Sequence, residues 1–200
     1  MSRKAGPLAF TLSRCGILSA LSVLLYQLEL PVVAFYRLDL STLPAILAGF
    51  AMGPGPAAAI VLVKNLAHLP VTGTAGIGEL ADTLVSCAYV LTASLLYRRS
   101  RTRRGALAAM AAGTAAMTVS GVLVNYFLLI PAYQAVMGLT AEAIIGMGQT
   151  ACSAVNSLPA LMLYITAPFN LLKGAALSAA AWLLYKRASP LLHSHPGRRA

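Results

Sequence analysis

Long apolar stretches constrain this sequence more than any other feature, because each approaches the length that a helix needs to cross a membrane. Hydrophobic residues make up 58% of the 200 residues, and charged residues only 10%. A soluble domain usually carries about 25% charged residues, so this chain has too little polar surface for a water-facing globule. A membrane-spanning helix needs about 20 apolar residues to cross the ~30 Å hydrocarbon layer. The pattern therefore predicts an integral membrane protein.

We predict an all-α bundle of six membrane-spanning helices, forming a single domain over residues 10–187, with a polar tail at 188–200. The predicted segments are 10–28, 41–52, 57–69, 79–97, 106–130 and one within 158–185. The fifth is expected to stop at Pro131, and a short helix is expected near Ile144. Helices are favoured over membrane strands because the segments do not alternate between apolar and polar residues, and because lipid offers no partner for an open backbone.

Positive and negative charges separate along the sequence in a way that predicts orientation. Six crossings place every Lys and Arg cluster on one side, which the positive-inside rule identifies as the cytoplasm, together with both termini. The clusters are Arg3, Lys4 and Arg14; Arg98, Arg99, Arg101, Arg103 and Arg104; and Lys186, Arg187, Arg198 and Arg199. The carboxylates fall on the opposite side: Glu29, Asp39, Glu79, Asp82 and Glu142. The net charge of +10 is therefore a topology signal, and we expect no nucleic-acid partner.

Polar side chains inside the apolar segments are the candidate functional residues, since polar groups in lipid are costly and usually face a cavity or a partner. Asn170 and Lys173 are three residues apart, so one helix face carries both. Snorkelling is the alternative for Lys173, and an interhelical hydrogen bond is the alternative for Asn125. For Lys64 and His68 we favour structural or loop-pairing roles.

Motifs that would indicate an enzyme do not occur in the sequence. It contains no Walker A string GxxxxGK[ST], no HExxH and no GxSxG. The glycine-rich stretch TGTAGIG at 72–78 is therefore expected to fold over an outer pocket rather than to hold phosphate. The three cysteines lie far apart in apolar segments, which favours packing over a metal site or disulfides. We predict a protein that is not an enzyme and has no cofactor or metal.

Three strings that follow one another along the chain carry a family resemblance. They are LDLSTLP at 38–44 with AGFAMGP after it, KNLAHLPVTGTAGIGEL at 64–80, and PFNLLKG at 168–174, supported by NYFLLIPAY at 125–133. Together they resemble the riboflavin-specific substrate-binding (S) components of energy-coupling factor (ECF) vitamin importers. The resemblance implies a six-helix subunit of the bacterial plasma membrane that captures riboflavin near the outer face. It also implies its partners, a transmembrane coupling protein and two cytoplasmic ATPases.

The same resemblance implies which residues do this. It assigns riboflavin contacts to Leu38, Asp39, Asn125, Asn170 and Lys173. It implies a role in gating or pocket shape for the glycine-rich loop and the residues after it: Thr74, Gly78 and Glu79. In the first helix, the small residues Gly16 and Ala20, with Ser19 beside them, are expected to dock the coupling protein. From spacing alone, packing within this chain is an equal alternative.

The chain departs from the family pattern at two positions. The family often has an acidic residue where this chain has Thr42, which could tune affinity, and glycine where it has Ala75, which could stiffen the gate. Residues 137–157 match no part of the resemblance. From the sequence, an S component for another vitamin or precursor, or a membrane enzyme or scaffold, stays open as an alternative.

Overall fold

A computed structural model describes residues 7–33 and 36–193, with side chains for 8–32 and 36–185. Its helices are α1 (Pro7–Tyr26), α2 (Leu43–Met52), α3 (Pro54–His68), α4 (Ile77–Arg99), α5 (Arg103–Val124), α6 (Ile130–Met137), α7 (Ala141–Gln149), α8 (Leu158–Leu161) and α9 (Ala167–His193). The basic residues Arg3, Lys4, Arg198 and Arg199 lie outside the described residues, and Lys186 and Arg187 are described by their backbone alone.

Four helical stretches are long and apolar enough to cross a membrane: Leu8–Tyr26, Ile77–Arg99, Arg103–Met137 and Leu158–Tyr185. The prediction of a largely helical chain with segments long enough to cross a membrane is therefore confirmed. The helices α2 and α3 have 10 and 15 residues, or about 15 and 22 Å at 1.5 Å per residue, which is less than the ~30 Å hydrocarbon layer. The count of six crossings and the side of the termini stay predictions.

Pro131 does not end its helix, contrary to our expectation. A proline removes one backbone hydrogen bond and its ring clashes with the preceding turn. Here a π-helical turn, Asn125–Leu129, widens the helix just before Pro131, and α6 continues beyond it. A second π-helical turn, Met162–Thr166, precedes Pro168 at the same spacing and joins α8 to α9. Both long helices thereby pass their proline without a break.

The connection between α1 and α2 contains a small β-hairpin, so the all-α prediction needs one correction. Strand β1 (Leu30–Val33) pairs antiparallel with β2 (Tyr36–Leu38). A two-stranded ribbon has free edges, so Pro31 can lie in a strand without breaking a sheet. The hairpin ends at Leu38, so Asp39 follows it directly and lies in the short connection to α2.

Two apolar clusters form the interior. One centres on Tyr89, Ile46 and Leu177, and the other on Leu161, Phe169 and Ile144, the last of which lies on the predicted short helix α7. A sharp reversal at Gly53 (φ +102°) lets α3 fold back beside α2, a backbone conformation that favours glycine. The last helix extends to His193, past Arg187, since continuing a formed helix adds one hydrogen bond per residue.

Candidate functional site

A cavity of about 390 Å³ lies where α1 ends and α4 begins. Its wall includes Val85 and Met117 from one apolar cluster and Leu129 and Phe169 from the other. The volume falls within the ~300–1,000 Å³ typical of small-molecule sites. The cavity therefore combines apolar walls with the polar groups described next.

Two lysines and two aspartates form a buried ion-pair network beside the cavity. Lys173 Nζ lies 2.7 Å from Asp39 Oδ2 and 3.2 Å from Asp82 Oδ1. Lys64 Nζ lies 2.7 Å from Asp82 Oδ2. Positive and negative charges are thus equal in number, as a buried network requires to avoid a large desolvation cost.

Asp39 lies in the connection before α2, outside the membrane-spanning helices. Burial raises the pKa of its carboxyl, but the Lys173 and Lys64 ammonium groups together outweigh burial and hold the pKa below its usual value. The ion pair stabilises the fold above the unfolded pKa of about 3.9, and this contribution is lost only as the pH falls through the lower folded pKa. Asp39 therefore stays ionised at neutral pH.

Lys64 is fully buried and fully satisfied. Besides Asp82, its ammonium group donates to Ser41 Oγ at 2.6 Å and to Thr42 Oγ1 at 3.2 Å, which uses all three donors. It also lies 4.8 Å from the centre of the Tyr26 ring. This arrangement agrees with the structural role that we favoured for Lys64.

Asn125 and Asn170 come from the two helices that contain π-helical turns. Asn125 Nδ2 donates to the Gly121 carbonyl at 2.7 Å, and Asn170 Nδ2 donates to the Thr166 carbonyl at 2.9 Å. Hydrogen bonds to the backbone of their own helices thus fix both amides. A fixed amide presents its side-chain oxygen in one direction.

Tyr36 on strand β2 joins these two helices. Its hydroxyl donates to Asn125 Oδ1 at 3.1 Å and lies 2.5 Å from Thr166 Oγ1. Its ring packs against Phe169, with ring centres 4.8 Å apart. Burial raises the pKa of the Tyr36 phenol, so the hydroxyl keeps its proton and can donate. The hairpin is thereby attached to the cavity wall.

The glycine-rich loop at 72–78 is held against the start of α4 by Glu79. Glu79 Oε2 accepts hydrogen bonds from Thr72 at 2.9 Å and Thr74 at 3.3 Å, while Oε1 lies 2.8 Å from His68 Nδ1. The His68 ring stacks on Tyr26, with centres 4.1 Å apart. This loop lines the cavity and bonds to itself, so it closes one side of the pocket.

Ala75 adopts a left-handed conformation (φ +51°) within this loop. A residue with a Cβ atom is strained there, whereas glycine is not. Ala75 is one of the two departures from the resemblance noted in the sequence, so that departure coincides with backbone strain.

Most of the residues predicted for the site meet at the cavity, and one does not. The cavity is lined by Asp39, Asn125, Asn170, Lys173, Thr74, Gly78 and Glu79. Leu38 does not line it and packs instead against the apolar cluster around Phe169.

Sequence reasoning missed two residues. The sequence identified Asp82 only as one of the outer carboxylates. A buried Lys64 requires a charged partner, however, and Asp82 lies one helical turn after Glu79, where it could have been considered. Tyr36 gave no signal, since its partners are 89 and 130 residues away. No group of three or more His, Cys, Asp or Glu in the described part of the chain is arranged to hold a metal ion.

The small residues of α1 do not all share one face. Gly16 and Ala20 are exposed, and nothing lies within 4 Å of a Cβ added at Gly16. Ser19 is buried, because a helix turns it about 100° away from Ala20. The docking face itself stays a prediction.

Comparison with known proteins gives consistent matches over most of the chain. Residues 10–185 match the family described as ECF transporter, substrate-specific component. The chain is 28% identical over 180 residues to the riboflavin transporter RibU of Staphylococcus aureus, covering 88% of this chain and 89% of the relative. It is 25% identical to the riboflavin transporter FmnP of Bacillus subtilis, over 88% and 90%. A solved S component of a bacterial ECF transporter superposes with a TM-score of 0.72 and 26% identity, over 92% of this chain and 98% of that one.

Proposed function

This chain belongs to the family of ECF transporter substrate-specific components, and from that premise we propose that it binds riboflavin in the cavity as the capture subunit of an ECF importer. Relatives from two bacterial genera carry the name riboflavin transporter, which supports this ligand. The proposed location is the bacterial plasma membrane, with six crossings and both termini in the cytoplasm.

The observation that carries the proposal is the set of unused polar groups on an apolar cavity wall. Lys173 uses two of its three donors on Asp39 and Asp82. Asn170 Oδ1 has no hydrogen-bond partner among the described side chains. One donor and one acceptor, one helical turn apart, are thus free to meet a ligand.

Riboflavin matches this set. Its isoalloxazine ring is large, flat and mostly apolar, and its uracil-like edge presents one N–H donor between carbonyl acceptors. Asn170 can accept from the N–H while Lys173 donates to a carbonyl. The rings of Tyr36 and Phe169 supply apolar contact area of the kind that flat ligands need.

Charge placement supports capture from the outside. Exposed arginines occupy the far ends of α4 and α5, namely Arg98, Arg99, Arg101, Arg103 and Arg104. Under the positive-inside rule these ends face the cytoplasm, so the cavity at the opposite end faces outward. The glycine-rich loop, with Thr74, Gly78 and Glu79, would then gate the outer entrance.

Transport requires partners, which we propose to be a transmembrane coupling protein and two ATPases. The exposed pair Gly16 and Ala20 on α1 is the proposed docking face for the coupling protein, since small residues let another helix approach closely in lipid.

Calorimetric titration of the purified chain with riboflavin tests the ligand. We expect one site per chain, and we expect Asn170→Ala to weaken binding by about 1–3 kcal/mol because it leaves a desolvated ligand group unpaired. A matched control is Ser178→Ala, which removes a hydrogen bond to Tyr89 away from the cavity and should leave affinity unchanged. Absence of binding to the folded wild-type chain would reject riboflavin.

A further inference from the structure

The basic side chains that line the cavity share a feature that the function described so far does not require. Each one already contacts a carboxylate: Lys173 contacts Asp39 and Asp82, His68 contacts Glu79, and Arg37 contacts Glu29. Within the described side chains, every Lys, Arg and His of the cavity wall thus lies against a carboxylate.

Asp82 has a special place in this balance because both buried lysines depend on it. One carboxylate oxygen lies 3.2 Å from Lys173 and the other lies 2.7 Å from Lys64. Asn65 and Ser86 also donate to Asp82, at 3.0 and 3.3 Å, which fixes its orientation. With Asp82 neutral, two lysines would face Asp39 alone.

From this geometry we propose that Asp82 is a specificity-determining residue, which cancels the second buried lysine so that the cavity selects an uncharged flavin over its phosphate monoester. The inference rests on the proposed function, since it assumes that the cavity binds a flavin. A phosphate monoester carries about −1.5 to −2 charges at pH 7 and needs Arg or Lys donors. With the ring edge at Lys173, the phosphate at the end of the ribityl chain lies farther along the cavity and interacts with the net charge of this network at a distance.

Position 42 offers a second place for a carboxylate that could compensate Lys64. Thr42 immediately precedes α2, and its Oγ1 lies 3.2 Å from Lys64 Nζ. A carboxylate at position 42 would therefore reach Lys64 as Asp82 does.

The test measures dissociation constants for riboflavin and for riboflavin 5′-phosphate by calorimetry, at fixed salt, in a set of charge variants. Asp82→Asn adds one positive charge to the network and should shift the preference toward the phosphate ester by about tenfold or more, the scale expected for a unit charge across ~10 Å of partly buried protein. Adding Thr42→Asp to that variant should restore the wild-type preference. Glu142→Gln makes the same charge change at an exposed residue outside the cavity wall and should leave the preference unchanged.

A residue that only stabilises the fold would weaken both ligands equally, so an unchanged preference in Asp82→Asn overturns the inference, as does failure of Thr42→Asp to restore it. If Asp82→Asn does not fold, Thr42→Asp alone adds a negative charge and should shift the preference about tenfold toward riboflavin; an unchanged ratio there also overturns it. Absence of any flavin binding to the wild-type chain rejects the proposed function itself and is a distinct outcome.

Discussion

Tyrosine hydroxyls form buried hydrogen bonds at both ends of the bundle, but in different surroundings. At the cavity end, the Tyr36 hydroxyl bonds to Asn125 and contacts Thr166 beside an open space. At the opposite end, the Tyr97 hydroxyl bonds to Tyr185 at 2.8 Å within packed aromatic rings. We call the second region the aromatic end and define it as Phe50, Tyr97, Trp182 and Tyr185. There the Phe50 and Tyr97 ring centres lie 4.4 Å apart.

The two ends differ in whether hydrogen-bonding groups stay unused after all contacts within the chain are made. At the aromatic end, two hydroxyls satisfy each other and the rings fill the space between helices. At the cavity end, Lys173 and Asn170 keep one unused group each after their contacts within the chain. Polarity alone therefore does not mark a binding site in this bundle, whereas unused hydrogen-bonding capacity beside a cavity does.

Substitution of Lys173 should disturb the cavity end of the bundle most. Lys173→Met leaves Asp39 and Asp82 with Lys64 as their only buried cation, and removing one partner of a buried pair costs about 3–5 kcal/mol. Chemical unfolding in detergent should report this loss, and riboflavin binding should disappear. Arg101→Ala, an exposed cation beyond the aromatic end, should change unfolding by less than about 0.5 kcal/mol. Equal stabilities for the two variants would contradict the buried network.

A second prediction concerns the space behind Asn170. A Cβ atom added at Gly121 would lie 2.5 Å from Asn170 Nδ2, so Gly121→Ala must displace that amide. We expect riboflavin affinity, measured by titration, to fall by about 1–3 kcal/mol, because a displaced Asn170 leaves a desolvated ligand group unpaired. Gly16→Ala meets nothing within 4 Å and serves as the matched control. Unchanged affinity in Gly121→Ala would argue that Asn170 does not contact the ligand.

The same chemical change at both ends of the bundle should have different effects on ligand binding. Tyr36→Phe and Tyr97→Phe each remove a hydroxyl that forms a buried hydrogen bond, and each should lower the free energy of unfolding by about 0.5–1.5 kcal/mol. Riboflavin affinity should fall only in Tyr36→Phe, because only Tyr36 orients Asn125. An equal loss of affinity in both variants would refute the distinction between the two ends.

The smallest expected effect lies in the loop that borders the cavity. Ala75→Gly removes a left-handed strain of about 1–2 kcal/mol and adds unfolded-chain freedom of about 0.4–1 kcal/mol. We expect a net gain below about 1 kcal/mol, visible as a slightly higher unfolding temperature. A destabilised Ala75→Gly variant would show that the left-handed conformation is not strained there.

The sequence predicted the elements that depend on local pattern. Apolar length located the long helices, and the spacing of Asn170 and Lys173 placed them on one face. What it could not predict depends on distant partners. Asp82 meets Lys173 across 91 positions, and Tyr36 meets Thr166 across 130, so neither contact leaves a trace in local spacing.

The wrong boundary at Pro131 has a different origin. Proline is normally a stop signal in a helix, and the rule fails because a wider turn just before it absorbs the clash. The hairpin before Asp39 was not predicted, because its strands have only four and three residues, too few for a clear alternating pattern.

The two π-helical turns also set the rotational phase of the helices that contain them. Each inserts about one residue relative to an α-helix, which rotates everything downstream by about 100°. Deleting one residue from Met162–Thr166 would leave a regular helix of almost the same length, yet Asn170 and Lys173 would be turned out of alignment with the residues of α8. Insertions and deletions at these two places should therefore alter ligand recognition far more than their effect on helix length suggests.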